Sequence, residues 1–198
     1  MLEIINDNFK IGLNNPPFII AEMSGNHNQS LDRALEIVVA AADSGAHALK
    51  LQTYTANTIT LDIKKDEFLI SDKKNLWKGK SLYELYEQAY TPWEWHKPIM
   101  LKAKELGMLC FSSPFDNSAV DFLEELNVPA YKIASPEIIH LPLIKKVAST
   151  GKPLIISTGM ASISEINEAV LLHASAVVNN LFFSSALVLI LHHHLKSI

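Results

Sequence analysis

The stretch Phe18-Ile-Ile-Ala-Glu-Met-Ser-Gly-Asn-His-Asn28 decides the fold class of this chain. An apolar run typical of a buried β-strand ends abruptly in a carboxylate and is followed by a polar loop. Four later segments repeat the arrangement, each with a polar side chain at or beside the C-terminal end of an apolar run: 46–53, 108–116, 130–135 and 154–159. Because the strand-to-helix loops of parallel α/β folds converge at that end of the strands, active sites form there. The repeated pattern therefore predicts an enzyme.

The composition is that of a globular protein and disfavours some classes of partner. The chain has 198 residues, of which 48% are hydrophobic and 19% charged, so it can bury a sizeable core. The formal net charge of −4 disfavours a nucleic-acid partner, since phosphate binding favours a basic face. The single cysteine, Cys110, excludes an internal disulfide framework, and its position within an apolar strand indicates a buried structural thiol rather than a nucleophile.

Both ends of the chain bear on its location. The first residues carry acids and lack the basic region of a signal peptide, so a cytoplasmic location is expected. The apolar stretch 174–191 is interrupted by Asn179, Asn180 and several serines, and we predict no membrane span. We interpret it either as an interior strand and helix or as a tail without designed structure. Three adjacent histidines, 192–194, cannot all face one ion from a regular element and predict no metal site.

Strands and helices alternate along the chain. The predicted strands are 18–22, 47–52, 108–112, 130–133 and 154–157, and the predicted helices are 30–44, 91–106, 116–126, 140–150 and 162–172. Helices of this length between strands give a parallel sheet with right-handed crossovers, and polar residues at every strand end suit a barrel. No Gly-rich dinucleotide or P-loop motif follows the first strand. We therefore predict an α/β fold, a partial (β/α)8 barrel of the TIM type with about five βα units and an apolar C-terminal tail.

Two lysines within apolar strands, Lys50 and Lys132, are the clearest indication of a binding site. An unpaired ammonium would be costly there unless it meets an anion. Hydroxyl donors stand at equivalent depth in the neighbouring strands: Ser112, Ser113, Ser135, Ser157 and Thr158. Such a set predicts a small phosphate or carboxylate pocket. A Schiff-base lysine of the aldolase kind is the alternative, and either lysine could also point outward between helices.

Glu22 and His27 have more than one interpretation. Glu22 ends a buried strand, where burial could raise its pKa toward use as a general acid, or it could be a structural partner of one of the lysines. His27, between two asparagines, could bind a sugar hydroxyl, a metal or nothing. Asp116 is expected to cap the helix that follows it, and Ser162 with Glu165 forms a predicted capping box.

Together these residues resemble the sialic acid synthase family, over about residues 17–170. The motifs that carry the resemblance are Ala21-Glu-Met-Ser-Gly-Asn-His-Asn28, Leu49-Lys-Leu-Gln-Thr-Tyr54, Tyr90-Thr-Pro-Trp-Glu-Trp-His96, Phe111-Ser-Ser-Pro-Phe-Asp116, Tyr131-Lys-Ile-Ala-Ser135 and Ile156-Ser-Thr-Gly-Met160. Within that family they look most like the branch whose acceptor is a 2,4-diacetamido-2,4,6-trideoxy hexose. Several long motifs in the right order make the match specific.

The resemblance implies a (β/α)8 barrel followed by a small antifreeze-like domain in a domain-swapped homodimer. It implies condensation of phosphoenolpyruvate with an amino-sugar to give a nonulosonic acid. Glu22 would meet the open-chain sugar and assist proton transfer. Six residues would line the phosphoenolpyruvate pocket: Lys50, Gln52, Ser113, Lys132, Ser135 and Ser157. The family also uses a divalent metal, Mn²⁺ or Mg²⁺, to orient the sugar aldehyde, and its histidine ligands are expected to be absent from this chain.

The resemblance stops at about residue 172. We therefore divide the chain into 1–172, the N-terminal part of a synthase-type barrel, and 173–198, a non-matching apolar tail. His173 is expected immediately after the end of a helix, too early in the sequence to replace the missing metal-binding histidines. A truncated, inactive form of the synthase is the expectation. The alternatives are an N-acetylneuraminate or legionaminate synthase, a lysine-dependent class I aldolase, and a non-catalytic fragment. The excursion 53–90 is expected to select the sugar, with Tyr54 and Asn75 as candidates.

Overall fold

A computed structural model describes residues 4–6, 9–11, 15–72, 74–178 and 187–190 of the chain. These residues form two compact units. Ile20–Cys110 makes up one unit, and the described residues before and after it make up the other.

The elements alternate as the sequence predicts. The strands are β1 (Ile4–Asn6), β2 (Phe9–Ile11), β3 (Ile20–Glu22), β4 (Ala48–Thr53), β5 (Leu109–Pro114), β6 (Tyr131–Ile133), β7 (Leu154–Ser157) and β8 (Leu187–Ile190). The helices are α1 (Leu31–Asp43), α2 (Ala56–Ile59), α3 (Leu82–Ala89), α4 (Trp93–Glu105), α5 (Asn117–Glu125), α6 (Leu141–Ala148) and α7 (Ile163–Val178), with 3₁₀ turns at Asp66–Phe68 and Pro136–Ile139. In the described residues no helix is long and apolar enough to cross a membrane.

In the unit Ile20–Cys110, β3 and β4 pair in parallel, with Glu22 opposite Lys50. Helices α1 and α4 pack together and cover one face of these strands with buried apolar side chains, among them Val38, Leu49, Leu51 and Ile99. Cys110 belongs to this core, as predicted, and burial raises the pKa of its thiol to about 12. This packing holds β4, which carries Lys50, against two helices.

In the other unit, strands β5, β6, β7 and β8 run in parallel in that order. Tyr131 and Ile133 of β6 lie opposite Leu154 and Ile156 of β7, and all four side chains are fully buried on one face. Helix α6 packs against both α5 and α7. The hydroxyl of Tyr131 donates to the Glu124 carboxylate at 2.6 Å, which satisfies the one polar atom of that side chain. Strands β1 and β2 form a short antiparallel pair.

Helix starts follow the predicted capping chemistry. Ser30 accepts a hydrogen bond from the Arg33 amide, and Asp116 accepts one from the Ala119 amide at 3.0 Å. Ser162 and Glu165 form the predicted capping box, in which the Glu165 carboxylate accepts from the Ser162 amide at 2.7 Å. Each of these contacts satisfies an N–H group that the first turn of a helix leaves unpaired.

The C-terminal region differs from the prediction in one respect and agrees with it in another. Helix α7 continues past residue 172 to Val178, so His173 lies inside the helix rather than directly after it. Of the stretch 174–191, the segment Leu187–Ile190 is a strand that pairs with β7 in parallel register, which agrees with the strand interpretation. The three histidines 192–194 lie outside the described residues. The domain boundary at residue 172 stays a prediction.

Candidate functional site

Strand β4 presents Lys50 and Gln52 on the face opposite the core. Successive side chains of a strand point to opposite faces, and Leu49 and Leu51 are buried against the helices. Lys50 and Gln52 therefore share the other face. Lys50 is only 7% exposed. An ammonium and a carboxamide therefore lie on the same face near the C-terminal end of the strand, and the ammonium is shielded from solvent.

Glu22 is the ionic partner of Lys50. The two residues are directly opposite in the register of β3 and β4, and the Lys50 ammonium donates to Glu22 Oε1. The expectation that Glu22 is buried is wrong, because its side chain is 59% exposed. The strand β3 is only three residues long, so Glu22 stands at its very end and reaches solvent. Of the two interpretations, the structure supports the partner of a lysine.

The second set of predicted residues lies in the other unit. Lys132 of β6 is opposite Ile155 of β7, and Ser157 follows two residues later on the same face. Ser112 is opposite Tyr131, so Ser113 shares the face of Lys132. Ser113 is buried, whereas Lys132 and Ser157 are partly exposed. One ammonium and two hydroxyls are thus presented from three adjacent strands, on the face opposite the buried Tyr131.

Ser135 occupies the turn directly after β6. Its hydroxyl oxygen accepts a hydrogen bond from the Met160 amide at 2.9 Å, so it links the loops that follow β6 and β7. Glu137, in the 3₁₀ turn, has a raised pKa because burial penalises its charged form, while the charge of Lys132 acts in the opposite direction. The environment of Lys132 therefore includes a carboxyl group that the sequence analysis did not single out.

His27 is a structural histidine. It is fully buried, its Nδ1 accepts from the Gln29 amide at 3.2 Å, and its Nε2 lies 3.1 Å from the Thr91 hydroxyl. Since Nδ1 accepts a hydrogen bond, the neutral ring carries its proton on Nε2 and donates to Thr91. Burial also lowers the pKa of His27. Trp95 packs edge-on against the ring at 5.5 Å, so both ring nitrogens and one side of the ring are engaged by other residues of the chain.

His96 is a second buried histidine, and the sequence analysis missed it. Its Nε2 lies 2.8 Å from the Thr53 hydroxyl and its Nδ1 lies 3.3 Å from the Pro92 carbonyl. Because a carbonyl only accepts, Nδ1 carries the proton and Nε2 accepts from Thr53. Burial lowers the pKa of His96 to about 4. Trp93 makes a further hydrogen bond, in which its Nε1 donates to the Tyr54 carbonyl at 3.2 Å.

These contacts fix the end of β4 to the start of α4. The signal for them is the motif Thr91-Pro-Trp-Glu-Trp-His96, which is aromatic-rich and opens a helix. Their partners, Thr53 and Tyr54, are about 40 positions earlier in the chain, so no local pattern could pair them.

The described residues do not fit the divalent metal that the resemblance implies. Throughout the described segments, no three His, Cys, Asp or Glu side chains are grouped as a metal ion requires. His173 is buried in α7 with neither ring nitrogen hydrogen-bonded, but it has no such companions.

Comparison with known proteins identifies relatives. The chain is 49% identical over 155 residues to a pseudaminic acid synthase of Helicobacter pylori, covering 78% of this chain and 45% of the relative. It is 48% identical over 149 residues to a pseudaminic acid synthase of Campylobacter jejuni, covering 75% of this chain and 43% of the relative. The chain therefore spans less than half the length of these curated relatives.

A solved structure shows the same fold. An N-acetylneuraminic acid (sialic acid) synthetase from Leptospira borgpetersenii superimposes with a TM-score of 0.77 at 31% identity, covering 95% of this chain and 58% of that one. The predicted fold class, a partial (β/α)8 barrel of the TIM type, is thereby confirmed. A family model described as NeuB family matches residues 37–186. Since that match covers well over half of the sequence, the chain belongs to the NeuB family.

Proposed function

We propose that this chain takes part in condensing phosphoenolpyruvate with a 2,4-diacetamido-2,4,6-trideoxy hexose to give pseudaminic acid. Pseudaminic acid synthases are 47–49% identical to this chain, whereas the N,N'-diacetyllegionaminic acid synthases among its relatives are 39% identical and an N-acetylneuraminate-9-phosphate synthase is 31% identical, which supports this choice of product. The observation that carries the proposal is Lys50, a nearly buried ammonium with a carboxylate partner on the face of β4 away from the core. A buried ammonium with an exchangeable partner suits recognition of an anionic substrate.

The proposed reaction balances without an added oxidant or reductant. The enol carbon of phosphoenolpyruvate attacks the sugar aldehyde and forms the new carbon–carbon bond, while the aldehyde oxygen takes up a proton. Water then adds to the cationic carbon that bears the phosphate ester and loses a proton. The carbon–oxygen bond to phosphate breaks, which releases inorganic phosphate and leaves a ketone.

Six residues are proposed to bind phosphoenolpyruvate, as the resemblance to the sialic acid synthase family implies. Lys50 and Gln52 of β4 offer an ammonium and a carboxamide. The remaining four offer one ammonium and three hydroxyls: Ser113, Lys132, Ser135 and Ser157. Ammonium and hydroxyl donors match phosphate and carboxylate oxygens, and the two lysines offset the negative charge of the substrate.

Glu22 is proposed to act on the sugar. Its carboxylate is exposed and paired with Lys50, so phosphoenolpyruvate would compete with Glu22 for the same ammonium. Once displaced, the carboxylate becomes available as the base or acid for the aldehyde and the attacking water. The homodimer and the divalent metal implied by the resemblance stay predictions.

Titration calorimetry with phosphoenolpyruvate tests the proposal. Removing one charged partner of a desolvated anion costs about 2–5 kcal/mol. Lys50→Ala and Lys132→Ala should therefore each weaken binding by roughly thirtyfold or more. Lys97→Ala and Lys145→Ala are matched controls, because each removes an exposed helix lysine from the same unit as its counterpart. Equal affinity in all four variants, or no binding by the unmodified chain, would contradict the assignment.

The class I aldolase alternative is tested by a trapping experiment. A Schiff base requires a neutral amine as the nucleophile, whereas the Lys50 nitrogen is engaged as an ammonium with Glu22. Borohydride in the presence of pyruvate should leave the mass of the chain unchanged. A stable adduct at Lys50 or Lys132 would instead favour the aldolase.

A further inference from the structure

A polar pocket opens on the unit Ile20–Cys110, shortly after the end of β4. Its volume is about 260 Å³. Six residues line it: Thr55, Ala56, Asn57, Tyr83, Glu87 and Tyr90. Thr55 and Lys50 are five positions apart, so their Cα atoms are at most ~18 Å apart even on an extended chain. The pocket therefore lies in the same unit as Lys50, and its first lining residue follows the end of β4 by two positions.

The chemistry of the lining is that of a site for a neutral polar ligand. It offers a carboxamide, two phenols, a hydroxyl and one carboxylate, and no lysine or arginine. With one carboxylate and no lysine or arginine in its lining, the pocket is less suited to phosphate and carboxylate groups than the face of β4 that carries Lys50. Amide and hydroxyl groups of a sugar match these donors and acceptors, and phenol rings provide flat apolar contact.

The pocket is held in shape by contacts of its own. The Tyr83 hydroxyl donates to the Asn57 Oδ1 at 2.9 Å, which joins α3 to α2 and orients the carboxamide. With Oδ1 engaged, the Asn57 Nδ2 group is presented as a donor of known orientation. In the same unit, the buried Tyr54 ring packs edge-on against Tyr86 of α3 at 5.5 Å, and the carbonyl of the lining residue Tyr90 accepts from Gln29 Nε2 at 2.7 Å.

We infer that this pocket receives an acetamido-bearing end of the sugar acceptor, so that Asn57 and Tyr83 determine acceptor specificity. The inference rests on the proposed function for the identity of the sugar. A volume of about 260 Å³ lies below the range of ~300–1,000 Å³ typical of whole-ligand pockets, so it holds one end of the sugar rather than all of it. The Asn57 amide donates to an acetamido carbonyl, and Glu87 accepts from an acetamido N–H.

Two substitutions separate this role from folding. Tyr83→Phe removes one hydroxyl and keeps the ring, and Asn57→Asp replaces the amide donor with a second carboxylate at constant shape. Asn117→Asp is the matched control, because it makes the same chemical change at an exposed position of α5. The probe is the 2,4-diacetamido-2,4,6-trideoxy hexose, with binding measured by saturation-transfer NMR titration. Phosphoenolpyruvate affinity is measured in parallel by calorimetry.

Each pocket variant should weaken binding of the sugar by roughly three- to tenfold, as expected for the loss of one hydrogen bond. Asn117→Asp should leave it unchanged, and phosphoenolpyruvate affinity should be the same in all variants. If the unmodified chain binds phosphoenolpyruvate but not the sugar, or if both pocket variants bind the sugar normally, the inference is overturned while the proposed phosphoenolpyruvate site stands. If the sugar binds in a pocket-dependent way and phosphoenolpyruvate does not bind, the pocket assignment stands and the proposed function fails.

Discussion

Acidification should lower the free energy of unfolding of the chain, because the buried His96 stays neutral in the folded state. The unfolded chain binds a proton at His96 with a pKa near 6.5, whereas burial lowers the folded-state pKa to about 4. A depressed histidine pKa means that the unfolded state holds more protons between these two values. The contribution of His96 to the free energy of unfolding is therefore fully present above pH 6.5 and is lost as the pH falls toward 4.

The magnitude follows from the same two values. A pH of 5 lies about 1.5 units below the pKa of His96 in the unfolded chain, so protonation stabilises the unfolded state, whereas His96 in the folded chain stays mostly neutral. At 1.36 kcal/mol per unit this is ~2 kcal/mol of stability lost between pH 7.5 and pH 5. Removing one large buried contact typically changes stability by a similar amount.

Urea unfolding of the unmodified chain and of His96→Gln isolates this effect. Glutamine stays neutral and keeps an oxygen that accepts from Thr53, so the difference between the two proteins reports the titration of His96 alone. Other groups such as His27, whose pKa is also lowered, cancel in the comparison. The stability difference should shrink by ~2 kcal/mol from pH 7.5 to pH 5 and stay constant from pH 7.5 to pH 8.5. A difference that is the same at pH 5 and pH 7.5 would refute the assignment of a buried neutral His96.

Three further outcomes can be measured on the same chain. Gly25→Ala places a Cβ 2.7 Å from the Ala89 carbonyl oxygen, so the backbone must shift, and urea unfolding should show a loss of ~1–3 kcal/mol; an unchanged midpoint would contradict the close approach. Asp116→Ala removes the cap of α5 and should cost ~1 kcal/mol by the same assay, with Asp116→Asn close to the unmodified chain. Cys110 should react with a thiol reagent only in urea, since burial raises its pKa to about 12, and rapid labelling of the native chain would show that the thiol is accessible.

The sequence predicted the elements well because local chemistry determines them. Ser30 and Asp116 cap helices through contacts three residues away, and such contacts are visible as spacing. The strand predicted at 47–52 likewise follows from a largely apolar run and is found at Ala48–Thr53. In each case the information lies within one turn of helix or one strand.

Features that depend on distant parts of the chain were missed. The exposure of Glu22 depends on how short β3 is and on what covers its end, neither of which follows from an apolar run. The role of His96 depends on Thr53, a partner 43 positions away. The extension of α7 to Val178 does not follow from the composition, which changes after residue 172 although no helix-breaking residue occurs there.

Thr53 and Thr91, at the two ends of the excursion 53–90, are each hydrogen-bonded to a buried histidine, Thr53 to His96 and Thr91 to His27. The segment between them is therefore anchored at both stems, and Gln29 also holds the backbone near its second stem by donating to the Gln88 and Tyr90 carbonyls. Doubling the length of a loop whose ends are fixed costs only about 0.6 kcal/mol of closure entropy. Insertions between the two stems are therefore expected to cost little stability as long as these anchoring hydrogen bonds are kept.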